Sequence, residues 1–68
     1  MPAGKASRTI SFELMGAMGS FNITGKKVSL RNLIITFAGQ RIVFASASER
    51  VRREAILQLT RNNIKYGY

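Results

Sequence analysis

Apolar and polar residues alternate along most of the chain before Ser46, a pattern typical of β-strands with one buried face. Ile10, Phe12 and Leu14 share one face of the first such segment, so this face is expected to line the core. Glycines and polar pairs interrupt the alternation. The interrupted alternation predicts five strands, centred on residues 9–14, 21–24, 28–30, 33–37 and 42–44.

Three tight turns set the expected pairing of these strands. Each turn brings apolar residues opposite one another on one face, as a consistent register requires. The turns and their pairs are Ala17–Met18 with Leu14 opposite Phe21, Gly25–Lys26 with Ile23 opposite Val28, and Gly39–Gln40 with Ile35 opposite Phe44. The apolar phase slips between Leu30 and Asn32, which predicts a turn or a bulge there.

The spacing of apolar residues becomes helical after Ser46, which predicts a C-terminal helix that reaches about Asn62. Ser46 with Glu49 three residues later fits a capping box, and Ser48 is the alternative cap. Asn62–Asn63 is typical of a helix end. The apolar stripe of the predicted helix consists of Val51, Ala55, Ile56 and Leu59.

The predicted fold class is therefore α+β, mainly β: a small antiparallel five-stranded meander or barrel followed by one C-terminal α-helix. We expect a single β5-α domain over residues 8–63. A flexible basic arm at residues 1–7, which carries Lys5, precedes it, and a short tail at residues 64–68 follows it.

Two aliphatic residues, Ile34 and Val43, fall on the sheet face opposite to Ile35 and Phe44. So small a sheet is not expected to have two apolar faces unless something covers the second. The pair therefore predicts an oligomer interface or a closed barrel, with isolated surface aliphatics as the alternative. A chain of 68 residues without cysteine also favours self-association, since its core is small.

Composition restricts the chemistry that the chain can perform. It has neither His nor Cys, and its only acids are Glu13, Glu49 and Glu54. We therefore expect a protein that is not an enzyme and that uses no metal or other cofactor. No apolar run is long enough to span a membrane, and the first residues lack the apolar segment of a signal peptide. This predicts an intracellular location, in the cytoplasm, nucleoid or virion, and not secretion.

The charge indicates the class of ligand. Eleven Lys and Arg against three Glu give a formal net charge of +8, and such a positive field suits nucleic-acid phosphates. The candidate nucleic-acid-binding residues are Lys26, Lys27, Arg31, Arg41, Arg50, Arg53 and Arg61. The first four of these fall on predicted turns or on the polar sheet face, and the last three lie on one stripe of the predicted helix.

The position of the helix arginines supports an anionic partner. Positive charge in the first turns of a helix opposes the helix dipole at a cost of roughly 0.3–1 kcal/mol each. The alternative is a solvated face on which Glu49 pairs with Arg53 and Arg50 pairs with Glu54.

The sequence thus predicts a small basic protein that binds DNA or RNA mainly through phosphate contacts, as a homo-oligomer such as a homodimer. All four Phe fall on the inner face, so base stacking on the sheet is not expected. The alternative is a protein–protein interaction module, such as a phage- or plasmid-type inhibitor or an assembly subunit, whose basic surface binds an acidic protein.

The predicted order of elements is similar to that of small nucleic-acid-binding folds. They include archaeal seven-kilodalton chromatin proteins, carbon-storage-type translational repressors and single-stranded-DNA-binding transcriptional coactivators. The likeness concerns the fold alone. Ala6–Thr9 does not match the Leu-Thr-Arg-Arg motif of the repressors, and no residue role is carried over.

Overall fold

The computed structural model of the protein describes residues 7–68. Over this range the strands are β1 Ser7–Leu14, β2 Ala17–Thr24, β3 Lys27–Ser29, β4 Ile34–Phe37, β5 Gln40–Val43 and β6 Lys65–Gly67, and the α-helix is α1 Glu49–Arg61. Short 3₁₀ helices at Leu30–Asn32 and Phe44–Ser46 precede β4 and α1. The predicted class, mainly β with one C-terminal helix, is confirmed. The predicted basic arm, with Lys5, lies outside the described residues except for Ser7.

The strands form an antiparallel sheet in the order β1-β2-β4-β5 and a separate pair, β3-β6. Strand β2 pairs with β4, with Ser20 opposite Thr36, so the predicted pairing of Ile23 with Val28 is wrong. The 3₁₀ turn at Leu30–Asn32, where the apolar phase slips, separates β3 from β4 and leaves β4 to pair with β2. The two sheets of the described range do not close into a barrel.

The β1–β2 hairpin turns two residues earlier than predicted. Its turn is Met15–Gly16, and both residues have positive φ, 53° and 79°. This is the geometry of a two-residue type I′ turn, which suits the twist of the flanking strands. Ile10 therefore lies opposite Phe21, and the predicted pairing of Leu14 with Phe21 is wrong. The slip changes the register by an even number of residues, so the inner face keeps the expected residues.

The β4–β5 hairpin shows the same kind of difference. Its turn is Ala38–Gly39, one residue earlier than predicted. Ile35 consequently lies opposite Ile42 and not opposite Phe44. Phe44 instead begins the 3₁₀ helix that leads into α1, and it is still buried.

The inner face of the sheet packs against the apolar stripe of α1. The predicted stripe is confirmed, since Val51, Ala55 and Leu59 are buried and Ile56 is half-buried against the core. The core of the described residues consists of Ile10, Phe12, Phe21, Ile23, Val28, Leu30, Leu33, Ile35, Phe44, Ala47, Val51, Ala55 and Leu59.

Helix α1 is capped at both ends by residues that the sequence marks. The Ser48 hydroxyl accepts a hydrogen bond from the Val51 N–H at 3.3 Å, so Ser48 and not Ser46 is the N-cap. At the other end Asn63 has a φ of 57°. The Asn63 N–H donates to the Thr60 carbonyl and the Ile64 N–H donates to the Leu59 carbonyl, which makes a Schellman motif.

The segment after the helix is a strand, where the sequence predicted only a short tail. The αL turn at Asn63 changes the direction of the chain after α1, and β6 then pairs in parallel with β3. Lys65 lies opposite Lys27, and Tyr66 lies opposite Val28. Three residues are too few for a period of two to stand out in a sequence, because apolar Ile64 and Tyr66 also fit an irregular tail.

Candidate nucleic-acid interface

The seven cations predicted to bind nucleic acid are all exposed, but the structure distributes them over several regions. Lys26 and Lys27 lie where β2 leads into β3. Arg31 is in the 3₁₀ turn before β4, and Arg41 is on β5. The remaining three, Arg50, Arg53 and Arg61, lie along α1.

The face of the four-stranded sheet that points away from the core is polar, and we call it the outer sheet face. Cross-strand pairs place Ser11, Ser20, Thr36 and Arg41 in one row across its four strands. The next row carries Thr9 and Asn22, joined by a 2.7 Å hydrogen bond from the Thr9 hydroxyl to the Asn22 side-chain oxygen. Lys27 and Arg31, which the sequence placed on this face, lie outside the four strands.

The helix arginines are engaged to different degrees. Arg53 forms the predicted ion pair with Glu49 at 2.7 Å, and both side chains are exposed; such a pair contributes little to stability. The predicted pair of Arg50 with Glu54 is wrong. The Arg50 guanidinium contacts the Met15 Sδ at 3.0 Å, and Glu54 accepts a hydrogen bond from Gln58. Arg50 thus packs at the tip of the β1–β2 hairpin.

A concave site that the sequence did not predict lies at the opposite end of the helix. It is a cleft of about 460 Å³, a volume within the range of small-ligand sites. Three cations line it, Arg8, Lys26 and Lys65. The lining is completed by Ile23, Gly25, Asn62, Asn63 and Ile64. We call this site the basic cleft.

Local conformations assemble the basic cleft from four parts of the chain. Arg8 comes from the start of β1, and Lys26 from the bend after β2. Gly25 in that bend has a φ of 83°, which an L residue adopts only with strain. The Schellman end of α1 supplies Asn62 and Asn63, and Lys65 begins β6. The sheet and the helix end therefore fix the backbone positions of the three cations.

The electrostatics of the basic cleft are one-sided, because none of its lining residues is acidic. The register of the β3-β6 pair places Lys27 level with Lys65, while the end of the Lys27 side chain lies close to Gly67.

Two of the three cleft cations were missed in the sequence. Arg8 was placed at the start of the predicted domain without a binding role, and Lys65 was placed in the tail. Neither has a local signal, because they are 57 positions apart and meet only through the pairing of β3 with β6 and the turn after α1. Of the predicted residues, only Lys26 lines the cleft, while Lys27 and Arg61 are the sequence neighbours of its lining residues Lys26 and Asn62.

The predicted apolar pair on the outer sheet face is present. Ile34 lies directly opposite Val43, and the two residues are 39% and 41% exposed. Both side chains are thus partly accessible to solvent.

Comparisons with protein-family models, with curated proteins and with solved structures returned no match to this chain. Over residues 7–68 no helix has the length and apolarity needed to cross a membrane. In the same range no three potential metal-ligating side chains are grouped together.

Proposed function

We propose that the protein binds DNA or RNA through the phosphate backbone and acts as a binding protein without catalytic activity. The observation that carries the proposal is the basic cleft, in which Arg8, Lys26 and Lys65 come together without an acid in a chain of net charge +8. A nucleic acid is the polyanion that such a surface attracts in a cell or a virion.

The contacts that we propose are to phosphate and not to bases. Phe12, Phe21 and Phe44 are buried, and Phe37 is half-buried against them, so the four-stranded sheet offers no aromatic platform for stacking. Arg31, Arg41 and the helix arginines extend the positive surface beyond the cleft.

Binding should therefore depend steeply on salt. If about four phosphates are contacted, the affinity for duplex DNA should fall about 100-fold between about 50 and 200 mM salt, because each contact releases condensed counterions. Fluorescence anisotropy with labelled duplexes of two unrelated sequences measures this. Similar affinities for both sequences are expected. The absence of binding to DNA and to RNA at about 50 mM salt would refute the proposal.

The homo-oligomer belongs to the same proposal, with Ile34 and Val43 at its interface. Their direct pairing makes one small apolar patch, and the outer sheet face around it carries one cation, Arg41, and one acid, Glu13, within the described residues. Two copies of a very basic protein repel each other least where the cations are fewest. A two-fold contact uses the same patch twice.

Replacing Ile34→Lys together with Val43→Lys should convert the oligomer to a monomer. In a two-fold interface each new lysine occurs once in each copy, so like charges from the two copies face each other. Sedimentation equilibrium measures the mass. The matched control adds the same two charges elsewhere, at the exposed Leu57→Lys and Tyr68→Lys, and should leave the mass unchanged. A wild-type chain that sediments as a monomer at about 100 μM contradicts this part of the proposal.

The exposed Ile34–Val43 pair also favours a second function, binding of another protein whose acidic patch meets the basic surface. The two functions differ in their response to nuclease. A partner retained on the tagged protein after nuclease treatment supports the protein-binding function, whereas a partner lost completely supports nucleic-acid binding.

A further inference from the structure

We propose that the basic cleft is a site for a terminal phosphate, the phosphomonoester at the end of a nucleic-acid strand; this inference rests on the proposed function. The backbone phosphates beyond this end then lie on the positive surface outside the cleft. The distinction between the two phosphate types follows from charge and shape.

The charge of the cleft matches a dianion. A phosphodiester inside a strand carries one negative charge, whereas a phosphomonoester carries about −1.5 to −2 at neutral pH and presents three acceptor oxygens. Arg8, Lys26 and Lys65 supply three positive charges around one cleft. A planar guanidinium can donate two parallel hydrogen bonds to a phosphate, and each ammonium adds a compact charge.

Acidic groups that could neutralise the cleft are held elsewhere. Glu13 is on the outer sheet face near the hairpin tip, opposite Met18. Glu49 pairs with Arg53, and Glu54 accepts from Gln58. The cations of the cleft therefore face no carboxylate among its lining residues, and a bound phosphate would be the first anion that they meet.

The helix end in the cleft repels an anion less than an uncapped C-terminus would, and the three cations supply the attraction. The C-terminal carbonyls of a helix carry partial negative charge, which would repel a phosphate. Here the Asn63 and Ile64 N–H groups donate to the carbonyls of Thr60 and Leu59, and the Asn62 side-chain amide donates to the Gln58 carbonyl at 2.7 Å. These bonds use the terminal carbonyls within the protein.

The shape of the cleft favours a strand end over a continuous strand. It is concave, and its lining comes from β1, the β2–β3 bend, the end of α1 and β6. An end group can enter such a site with one nucleotide behind it. Arg31, in the 3₁₀ turn before β4, and Arg41, on β5, come from parts of the chain outside this lining and remain available to phosphates further along the strand.

The test compares oligonucleotides of one sequence that end in a 5′-phosphate, a 3′-phosphate or hydroxyls only, each labelled internally. We expect one phosphorylated end to bind about tenfold more tightly than the hydroxyl form at about 100 mM salt, since it adds charge-assisted hydrogen bonds. The double variant Arg8→Ala/Lys65→Ala should lose this preference and bind all three oligonucleotides alike. The control Arg31→Ala/Arg41→Ala should weaken all three equally and keep the preference.

A second arm identifies the source of the phosphate. Inorganic phosphate and a nucleoside monophosphate are titrated separately into the isotope-labelled protein, and the amide shifts of Gly25, Asn63 and Lys65 are followed. Competition of the monophosphate with the phosphorylated oligonucleotide supports the strand-end site. Equal affinity for phosphorylated and hydroxyl ends overturns the terminal-phosphate site and leaves nucleic-acid binding intact. Shifts with phosphate but no binding of any oligonucleotide overturn the proposed function and reassign the cleft to a free phosphate compound.

Discussion

Gly19→Ala is expected to destabilise the protein by about 3 kcal/mol, the upper part of the usual range for an overpacked core. A Cβ at Gly19 would lie 2.3 Å from the Phe12 Cζ. The Phe12 ring cannot easily move aside, because it is buried, stacked on Phe37 at 6.1 Å and tilted against Phe21 at 6.3 Å. A domain of this size has a total stability of about 3–10 kcal/mol, so the variant should be largely unfolded at modest denaturant. Urea denaturation followed by circular dichroism measures the loss.

A double-mutant cycle isolates the cause of this effect. In a Phe12→Leu background the clashing ring atoms are absent, so Gly19→Ala should cost much less there than in the wild type. Gly16→Ala is the matched glycine control, since a Cβ at Gly16 meets no atom within 4 Å and suffers only the positive φ, at about 1–2 kcal/mol. Equal losses at Gly16 and Gly19 would contradict the role assigned to the Phe12 ring.

Gly19 also illustrates how far the sequence determines the fold. The alternation of β1 and β2 identified the buried face correctly, because a strand has a period of two whatever its partner. The turn was misplaced because Gly16 and Gly19 both fit a break, and only the pairing of Gly19 with Phe12 on β1 and Phe37 on β4 shows that Gly19 lies inside a strand. Local pattern thus predicts which side faces the core, and three-dimensional packing decides the register.

The pairing of β3 shows a different limit. A glycine-containing bend between two alternating segments predicts a hairpin, yet β2 pairs with β4, and β3 pairs with β6 across 38 positions. The observed pairing leaves Val28 and Leu33 buried, and it depends on strands that are distant in the sequence. The helix, in contrast, was predicted with its cap candidates and stripe, because its signals are local.

The same two limits apply to the prediction of the candidate site. The sequence predicted correctly that the cations are exposed, because they are charged, and that Lys26 lies at a bend. The convergence of Lys26 with Arg8 and Lys65 depends on the non-local β3-β6 pairing, so sequence reasoning spread the binding residues over helix and sheet instead. Net charge predicts that a basic surface exists, whereas only the fold determines where it is concave.

Reversing the three cleft cations, by Arg8→Glu, Lys26→Glu and Lys65→Glu, is expected to weaken nucleic-acid binding at least about 100-fold at low salt. Each reversal lowers the net charge by two, so the variant has a net charge of +2 instead of +8. If the three cations neutralise about three phosphate charges, two on a terminal phosphate and one on the adjoining phosphodiester, the slope of log affinity against log salt for end-phosphorylated duplex DNA should become shallower by about 2.7. All three residues are exposed, so the thermal unfolding midpoint should change little.

The matched control separates position from total charge. Arg31→Glu, Arg41→Glu and Arg50→Glu give the same net charge of +2 but leave the basic cleft intact. If the cleft makes the main contacts, this control should lose no more than about tenfold in affinity, since it changes chiefly the long-range field that steers association. Equal losses for the two triple variants would mean that only the total charge attracts the nucleic acid. In that case the convergence of Arg8, Lys26 and Lys65 would have no part in binding.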